Sequence, residues 1–415
     1  MSIRCFNSLV AAAILAASTG ACADGLDTLQ YAASGGTPNI DARLRYEQVD
    51  QDNLSDDANA LTARVRLGYT TGKWNNIDGQ LEYEGVTVLG SDKFNSTTNG
   101  QTGLPVVADP KTNELNQGWI RYSGLPKTTI KYGRQRLIYD NARYIGNVGW
   151  RQNEQTYDAL SLSSTWLPKT TFNYAYIYNV DAFKPFSIGG KSSSDIDIKA
   201  HAFNLAYAPL KTLTLSAYAY LLDFDAIPAP PIARQDTQSL GLRAVGTLPL
   251  DKFTLSYTAE YAQQSDYADA PSTVDADYYL IETGLAYDKY NAKIGYEVLG
   301  GDGVYSFQTP LATLHAFQGW ADQFLVTPVN GIKDLYFSVG GNVEKVALLA
   351  RWHDYRSDEA SIHYGTELEL QATRPFTDQL SLGLKYAAYS AKDFPAAAGT
   401  PFDTTKTWLW LEYKF

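Results

Sequence analysis

From Asn39 onward the chain repeats one unit: about ten residues of alternating apolar and polar character, a connection, then another such stretch. Ile40, Ala42, Leu44 and Tyr46 alternate with Asp41, Arg43, Arg45 and Glu47. Leu61, Ala63, Val65, Leu67 and Tyr69 alternate with Thr62, Arg64, Arg66 and Thr70, and Ile77, Leu81 and Tyr83 with Asp78, Gln80, Glu82 and Glu84. A period of two belongs to the β-strand, whose successive side chains point to opposite faces. Phe172, Tyr174, Tyr176 and Tyr178 continue it as an aromatic stripe, and it runs to the last strand, where Thr407, Leu409, Leu411, Tyr413 and Phe415 share a face. The pattern predicts about 18 strands, an even number, as an antiparallel barrel with both ends on one side requires.

The connections alternate in length. Short ones with turn chemistry fall at 72–76, 124–127, 166–169, 209–211, 249–252, 288–290, 340–342 and 374–378. Longer polar ones fall between them, at 89–113, 138–152, 181–195, 226–234, 266–276, 300–331 and 392–404. Short periplasmic turns on one rim and long extracellular loops on the other belong to an outer-membrane barrel, whereas a soluble sandwich has no reason to sort its loops this way. The apolar terminal strand agrees. As an open edge it would be a sticky template, and lipid offers no partner to an unpaired N–H or C=O, so closure is compulsory. The fold class predicted is an all-β, transmembrane, antiparallel up-and-down β-barrel. In the insertion at 300–331, residues 311–318 could form a short helix, and a loop of that length is expected to fold into the mouth and narrow it.

Composition sharpens this picture. Residues 1–23 read as a cleaved signal peptide, with Arg4 in the n-region, an apolar stretch at 9–17 and Ala21-Cys22-Ala23 as cleavage site. A lipoprotein leader around Cys22 is the rival, but Thr19 stands where a Leu belongs. A periplasmic segment at 24–38 and a single barrel domain at 39–415 follow. Both cysteines, Cys5 and Cys22, lie in the leader, which leaves no thiol for a disulfide, a metal or a nucleophile. Beyond the leader no apolar run reaches the 18 or more residues of a membrane-spanning helix, so strands must do any spanning. Thirty tyrosines among 415 residues suit membrane interfaces. A formal charge of −11 argues against nucleic acid as a partner.

The residues that bear on function are inward arginines. Arg43, Arg45, Arg64, Arg66, Arg121, Arg243 and Arg351 fall on the non-lipid parity of their strands. Facing lipid near the midplane each would cost roughly 2–4 kcal/mol, so they line the lumen. Two readings stay open: a ladder that attracts anions, because guanidinium forks hold carboxylates bidentately, or pairing with Asp41, Glu47, Asp78, Glu82, Glu84 and Glu260 that merely fills the interior. Arg134 and Arg136 share parity with Ile130 and Tyr132. Either a bulge at Gly133 swings both inward, or the strand has left the membrane by then. Arg151 has no assignable parity.

Three blocks carry a family resemblance: Tyr132-Gly133-Arg134-Gln135-Arg136-Leu137, the stretch from Asn147 to Asp158 (NVGWRQNEQTYD), and the stretch from His315 to Asp322 (HAFQGWAD). Through them the chain resembles the alginate-export family of outer-membrane proteins. The resemblance implies an 18-stranded barrel with an arginine-lined path that conducts an anionic polyuronate, and it places Arg134, Arg136 and Arg151 on that path. Glu82, Glu84, Glu367 and Glu369 also point inward, a departure from a strongly basic lumen that leaves the solute open.

Rival functions have thin support. His353, Asp354, Ser357 and His363 hold a base, an acid and a hydroxyl, but a hydrolase site needs them to converge in space. Asp50, Asp52, Asn53, Asp56 and Asp57 could offer oxygens to Ca²⁺, yet the loop lacks the Gly and closing Glu of a calcium loop. The expectation is therefore a bacterial outer-membrane, porin-like channel for hydrophilic, anionic solutes such as a saccharide. It has lipid and lipopolysaccharide around it and no catalytic residue, metal or cofactor. A barrel hydrolase and an adhesive barrel are the alternatives.

Overall fold

In a computed structural model, which describes residues 30, 32, 34–90, 92–188, 191–225, 236–392 and 402–415, the alternating stretches pair into one closed sheet. Its strands are β1 (Thr37–Gln51), β2 (Ala58–Thr70), β3 (Ile77–Val88), β4 (Thr112–Leu125), β5 (Thr128–Gln135), β6 (Thr156–Ser164), β7 (Thr170–Ile188), β8 (Lys191–Leu210) and β9 (Leu213–Phe224). They continue as β10 (Thr237–Leu250), β11 (Phe253–Asp266), β12 (Asp275–Tyr287), β13 (Tyr290–Leu299), β14 (Ile332–Val343), β15 (Val346–Arg356), β16 (His363–Pro375), β17 (Leu380–Ala391) and β18 (Thr404–Lys414). Each strand pairs antiparallel with the next. β18 closes on β1 with Asp41 opposite Lys414 and Gln51 opposite Thr404, so the terminal strand has no open edge. The expected eighteen-stranded up-and-down barrel is what the chain forms.

The predicted parity also holds, and burial is inverted relative to a soluble protein. Leu67, Leu81, Ile120, Leu242 and Ile281 are exposed on the outer wall, whereas Arg45, Arg64, Glu84 and Glu369 are almost wholly buried inside. Lipid covers the first set, and the second needs partners within the lumen. The loops supply them. Residues 136–155 and 300–331 turn into the barrel and are joined there, Gly146 N donating to Leu311 O at 2.8 Å and Thr313 N to Ala142 O at 3.0 Å. Tyr144, Ile145, Phe307 and Leu311 then pack against Tyr218, Tyr220 and Tyr278 of the wall, giving this half of the lumen an apolar core. The insertion does fold into the mouth, but 311–318 form turns rather than a helix. Leu314 and Gln318 have φ of 61° and 48°, and their neighbours spend backbone hydrogen bonds on the other loop instead of on a helical turn.

Two connections differ from expectation. The β14–β15 turn is Glu344-Lys345, with φ of 46° and 70°, two residues past the Gly340-Gly341-Asn342 stretch. Two successive left-handed residues make the tight hairpin whose twist suits flanking strands, while Gly341 stays in the ladder because the Tyr290 ring lies where its side chain would be. The expected loop at 181–195 is mostly strand, since β7 and β8 run on to Ile188 and Lys191. Polarity marks where a strand leaves the membrane, and pairing continues beyond that height. The leader at 1–23, the stretch 226–234 and most of 392–404 lie outside the described residues. Of the segment at 24–38, Ala32 accepts from Gly72 N at 2.8 Å, beside the short β2–β3 turn.

Candidate solute path and its constriction

The constriction is built on β1, β2 and β3, whose inward residues the ladder sets side by side: Arg43 faces Arg64, Asp41 faces Arg66, and Arg66 faces Glu84. Like charges opposed across a ladder repel, and carboxylates placed between them offset this. Glu412 lies 3.1 Å from Arg43 and 3.7 Å from Arg64, which also binds Asp41, while Arg66 binds Glu84. Arg43 and Arg45 also donate to the loops. Arg43 Nη1 donates to Trp150 O at 2.8 Å and Nη2 to Gly149 O at 3.2 Å. Arg45 binds the Asp109 carboxylate, donates to Trp150 O at 2.5 Å and lies over the Trp150 ring.

Two further arginines extend the network. Arg136 reaches into the lumen to Glu82 and Glu154, both at 2.6 Å. Burial alone would push the Glu154 carboxyl up, but the Arg66 and Arg136 guanidinium groups outweigh it and hold it at about 2. Arg151 binds Glu47 at 3.2 Å and Asp322 at 2.8 Å, tying one loop to the other and both to the wall. Asp322 also accepts from Lys406 at 2.9 Å and His315 at 2.7 Å. Burial works against its charge, yet Lys406, His315 and Arg151 together keep it well below the usual carboxylate range. Burial pushes the His315 imidazole down to about 3 in spite of Asp322, which leaves it neutral. Its Nε2 accepts from Lys385 at 3.1 Å, so Nδ1 carries the proton given to Asp322.

Lys385 pins both loops to β17. Its ammonium lies 3.7 Å from the Trp150 ring centroid and 3.9 Å from that of Trp320, one ring from each loop. Next to it, Glu369 accepts from Trp320 N at 2.9 Å and Glu367 from Ala321 N at 2.8 Å. Gly319 precedes these donors with φ of +88°, and a Cβ there would meet the Glu367 carboxylate and the Tyr355 hydroxyl.

Arg43, Arg45, Arg64, Arg66, Arg136 and Arg151 are thus brought together. Arg121 (with Asp78), Arg243 (with Glu260) and Arg351 (with Glu369 at 3.4 Å) stand on the lumenal wall apart from that cluster. Arg134 departs from its expected place in the lumen. Without a bulge at Gly133, the register sets it opposite Gly118 and Asp158, on the outer face with Ile130 and Tyr132, where Asp158 and Asp181 neutralise it. The bulge lies instead on β6–β7, at Asp158/Ala159. Arg136 enters the lumen because β5 ends one residue before it. Sequence reasoning missed Arg143, buried against Glu297 and Gln318, and Lys385; Lys385 had the inward parity that marks it, but Arg143 sits in a loop where parity gives no signal. The hydrolase candidates do not converge. His353 points inward to Asp334 at 2.8 Å, Asp354 binds His363 at 2.6 Å, and the Ser357 hydroxyl accepts from Ile362 N.

Residues 38–302, more than half of the chain, match the alginate export family. The chain belongs to that family. Among solved structures it is similar to Acinetobacter baumannii OccAB4, at 14% identity and a TM-score of 0.71 over 92% of this chain and 98% of that one. OccAB2 of the same organism gives 17% and 0.70, covering 92% and 99%. Pseudomonas aeruginosa OpdK, solved with vanillate, gives 11% and 0.69, also covering 92% and 99%. No curated protein matches the chain. Likeness at these identities speaks for the fold. With the family it makes the chain an integral outer-membrane channel of the porin kind, not an enzyme.

Proposed function

We propose that the channel passes hydrophilic, anionic solutes past the lumenal arginines that keep part of their side chain exposed. One observation carries the reading: the arginines differ in exposure. Arg45 and Arg64 have no exposed side-chain surface and Arg151 has 7%, whereas Arg121, Arg136 and Arg351 keep 33%, 30% and 25% inside the barrel. Arg45 and Arg151 anchor the loops, and Arg64 stays paired with Asp41 on the wall. The exposed group offers guanidinium edges to a passing carboxylate, exchanging it from one to the next. Lys131 adds a cation at the same wall, its ammonium 4.6 Å from the Trp119 ring, with Arg121 over that ring at 5.3 Å. Vanillate in a fold neighbour fits passage of a small carboxylate, and the family fits a polyuronate.

The test is single-channel recording in planar bilayers under a salt gradient, with uronates or vanillate added. Wild type is expected to prefer anions and to be blocked by both. Replacing Arg121, Arg136 and Arg351 together by Ala should move the reversal potential toward cation preference and lift the block. An unchanged potential would overturn the assignment.

A further inference from the structure

The outer wall of β13–β17 carries a depression of about 540 Å³ close to the periplasmic rim, lined almost wholly by apolar atoms. The register explains it. Tyr290, Gly341, Leu348, Ala372 and Leu384 lie across the strands in one row, and Val339, Ala350, Leu370 and Tyr386 in the next. Small residues alternate with large ones, so Ala350 and Ala372 leave a hollow between raised leucine and tyrosine side chains, while the Tyr290 ring covers Gly341. A wall that only had to be greasy could carry large residues at all of these positions.

The mouth of the hollow is charged. The β12–β13 turn closes against β14 through Asn342 N to Lys289 O at 3.1 Å, and the Lys289 ammonium lies 5.6 Å from the ring of Tyr290, itself a lining residue. Lys345 stands in the neighbouring turn. Among the described residues neither ammonium has a carboxylate within ion-pair distance, although Asp288 and Glu344 are their chain neighbours. An apolar slot in the hydrocarbon zone that opens on unpaired ammonium groups at the headgroup level complements one kind of molecule.

We infer that this hollow is a binding site for a phospholipid of the periplasmic leaflet, one acyl chain lying in the slot and the phosphate meeting Lys289 and Lys345. Seating the chain there fills a space that loosely ordered lipid fills poorly, and dispersion contacts reward close fit. The phosphate gains two partners that have no competing anion.

The full-length protein, extracted in mild detergent, is examined by native mass spectrometry through repeated detergent exchange. Wild type should retain one phospholipid per chain. Ala350→Phe with Ala372→Phe fills the slot from the lipid side and should abolish the adduct while heat-modifiable migration and conductance stay as in wild type. Lys289→Glu with Lys345→Glu should keep the barrel intact but lose preference for phosphatidylglycerol over a neutral diacylglycerol in mixed micelles. Loss of all phospholipid from wild type as readily as from the filled variant overturns the inference, as does a mass of two chains in place of chain plus lipid.

Discussion

Asp322 is the knot of the constriction, and cutting it gives the sharpest test of how the loops are held. Its carboxylate takes Arg151 at 2.8 Å, Lys406 at 2.9 Å and His315 at 2.7 Å, in a site with almost no solvent. In Asp322→Ala, Arg151 keeps Glu47, whereas Lys406, 5% exposed, has no carboxylate left among the described residues. Removing one partner of a buried pair costs about 3–5 kcal/mol, because the other charge stays buried and uncompensated. At about 1.4 kcal/mol per tenfold, the undocked state of the loops should gain roughly two to nearly four orders of magnitude in population. The barrel keeps its strand ladders, so the change is local. Single-channel recording should show a larger and noisier conductance, and limited proteolysis should cut within 300–331 in the folded protein. Conductance, noise and protease resistance all equal to wild type would refute the idea that this carboxylate ties the loops down.

Acid should undo the same network. Glu154 is held at about 2 against an ordinary 4.5, so its contribution to docking is complete above 4.5 and is lost as pH falls toward 2. His315, depressed to about 3 from 6.5, opposes docking over the same descent because only the released imidazole takes a proton between those values. Conductance should therefore become unstable below about pH 4, as a pH series in bilayers would report. Gly383 lies opposite Trp410, and a Cβ there would come within 1.9 Å of the indole; Gly383→Ala should cost about 1–3 kcal/mol through overpacking, read as a lower urea midpoint by tryptophan fluorescence. Arg134→Ala should leave the reversal potential unchanged, since the side chain faces outward, while lowering resistance to heat by stranding Asp181; a shift in ion selectivity would return Arg134 to the lumen.

The barrel was legible because lipid outside and water inside impose the same choice at every second residue, and each of the 18 strands repeats it. The site was less so. Parity placed Arg43, Arg45, Arg64 and Arg66 inside but said nothing about what would cover them, because the cover is a loop more than eighty residues away in sequence. Parity grouped Arg134 with Ile130 and Tyr132, and there it held; it was the family resemblance that set this residue on the lumenal path. An outward arginine is costly only in hydrocarbon, and near a strand end, beside Asp158 and Asp181, it is cheap. The rule that arginines face inward therefore loses force at the strand ends, while parity itself does not. The short helix considered at 311–318 does not form, since Leu311 O and Thr313 N bond to Gly146 and Ala142 and Phe317 N closes only a single turn on Leu314 O.

Four inward glutamates and a net charge of −11 looked at odds with an anion path. The structure removes much of that conflict. Glu82 is engaged by Arg136 and Asn116, Glu84 by Arg66, and Glu367 and Glu369 by the N–H groups of Ala321 and Trp320. Each is at most 2% exposed, so a solute in the lumen has almost no direct contact with it. The face a solute meets is set by which member of each pair it can reach. In the pairs Arg121–Asp78, Arg136–Glu82 and Arg351–Glu369 the arginine keeps 33%, 30% and 25% of its side chain exposed, whereas the carboxylate keeps at most 2%. Whole-chain charge is therefore a poor guide to the selectivity of a barrel whose loops are fastened by ion pairs; the sign that counts is that of the partner each pair leaves exposed.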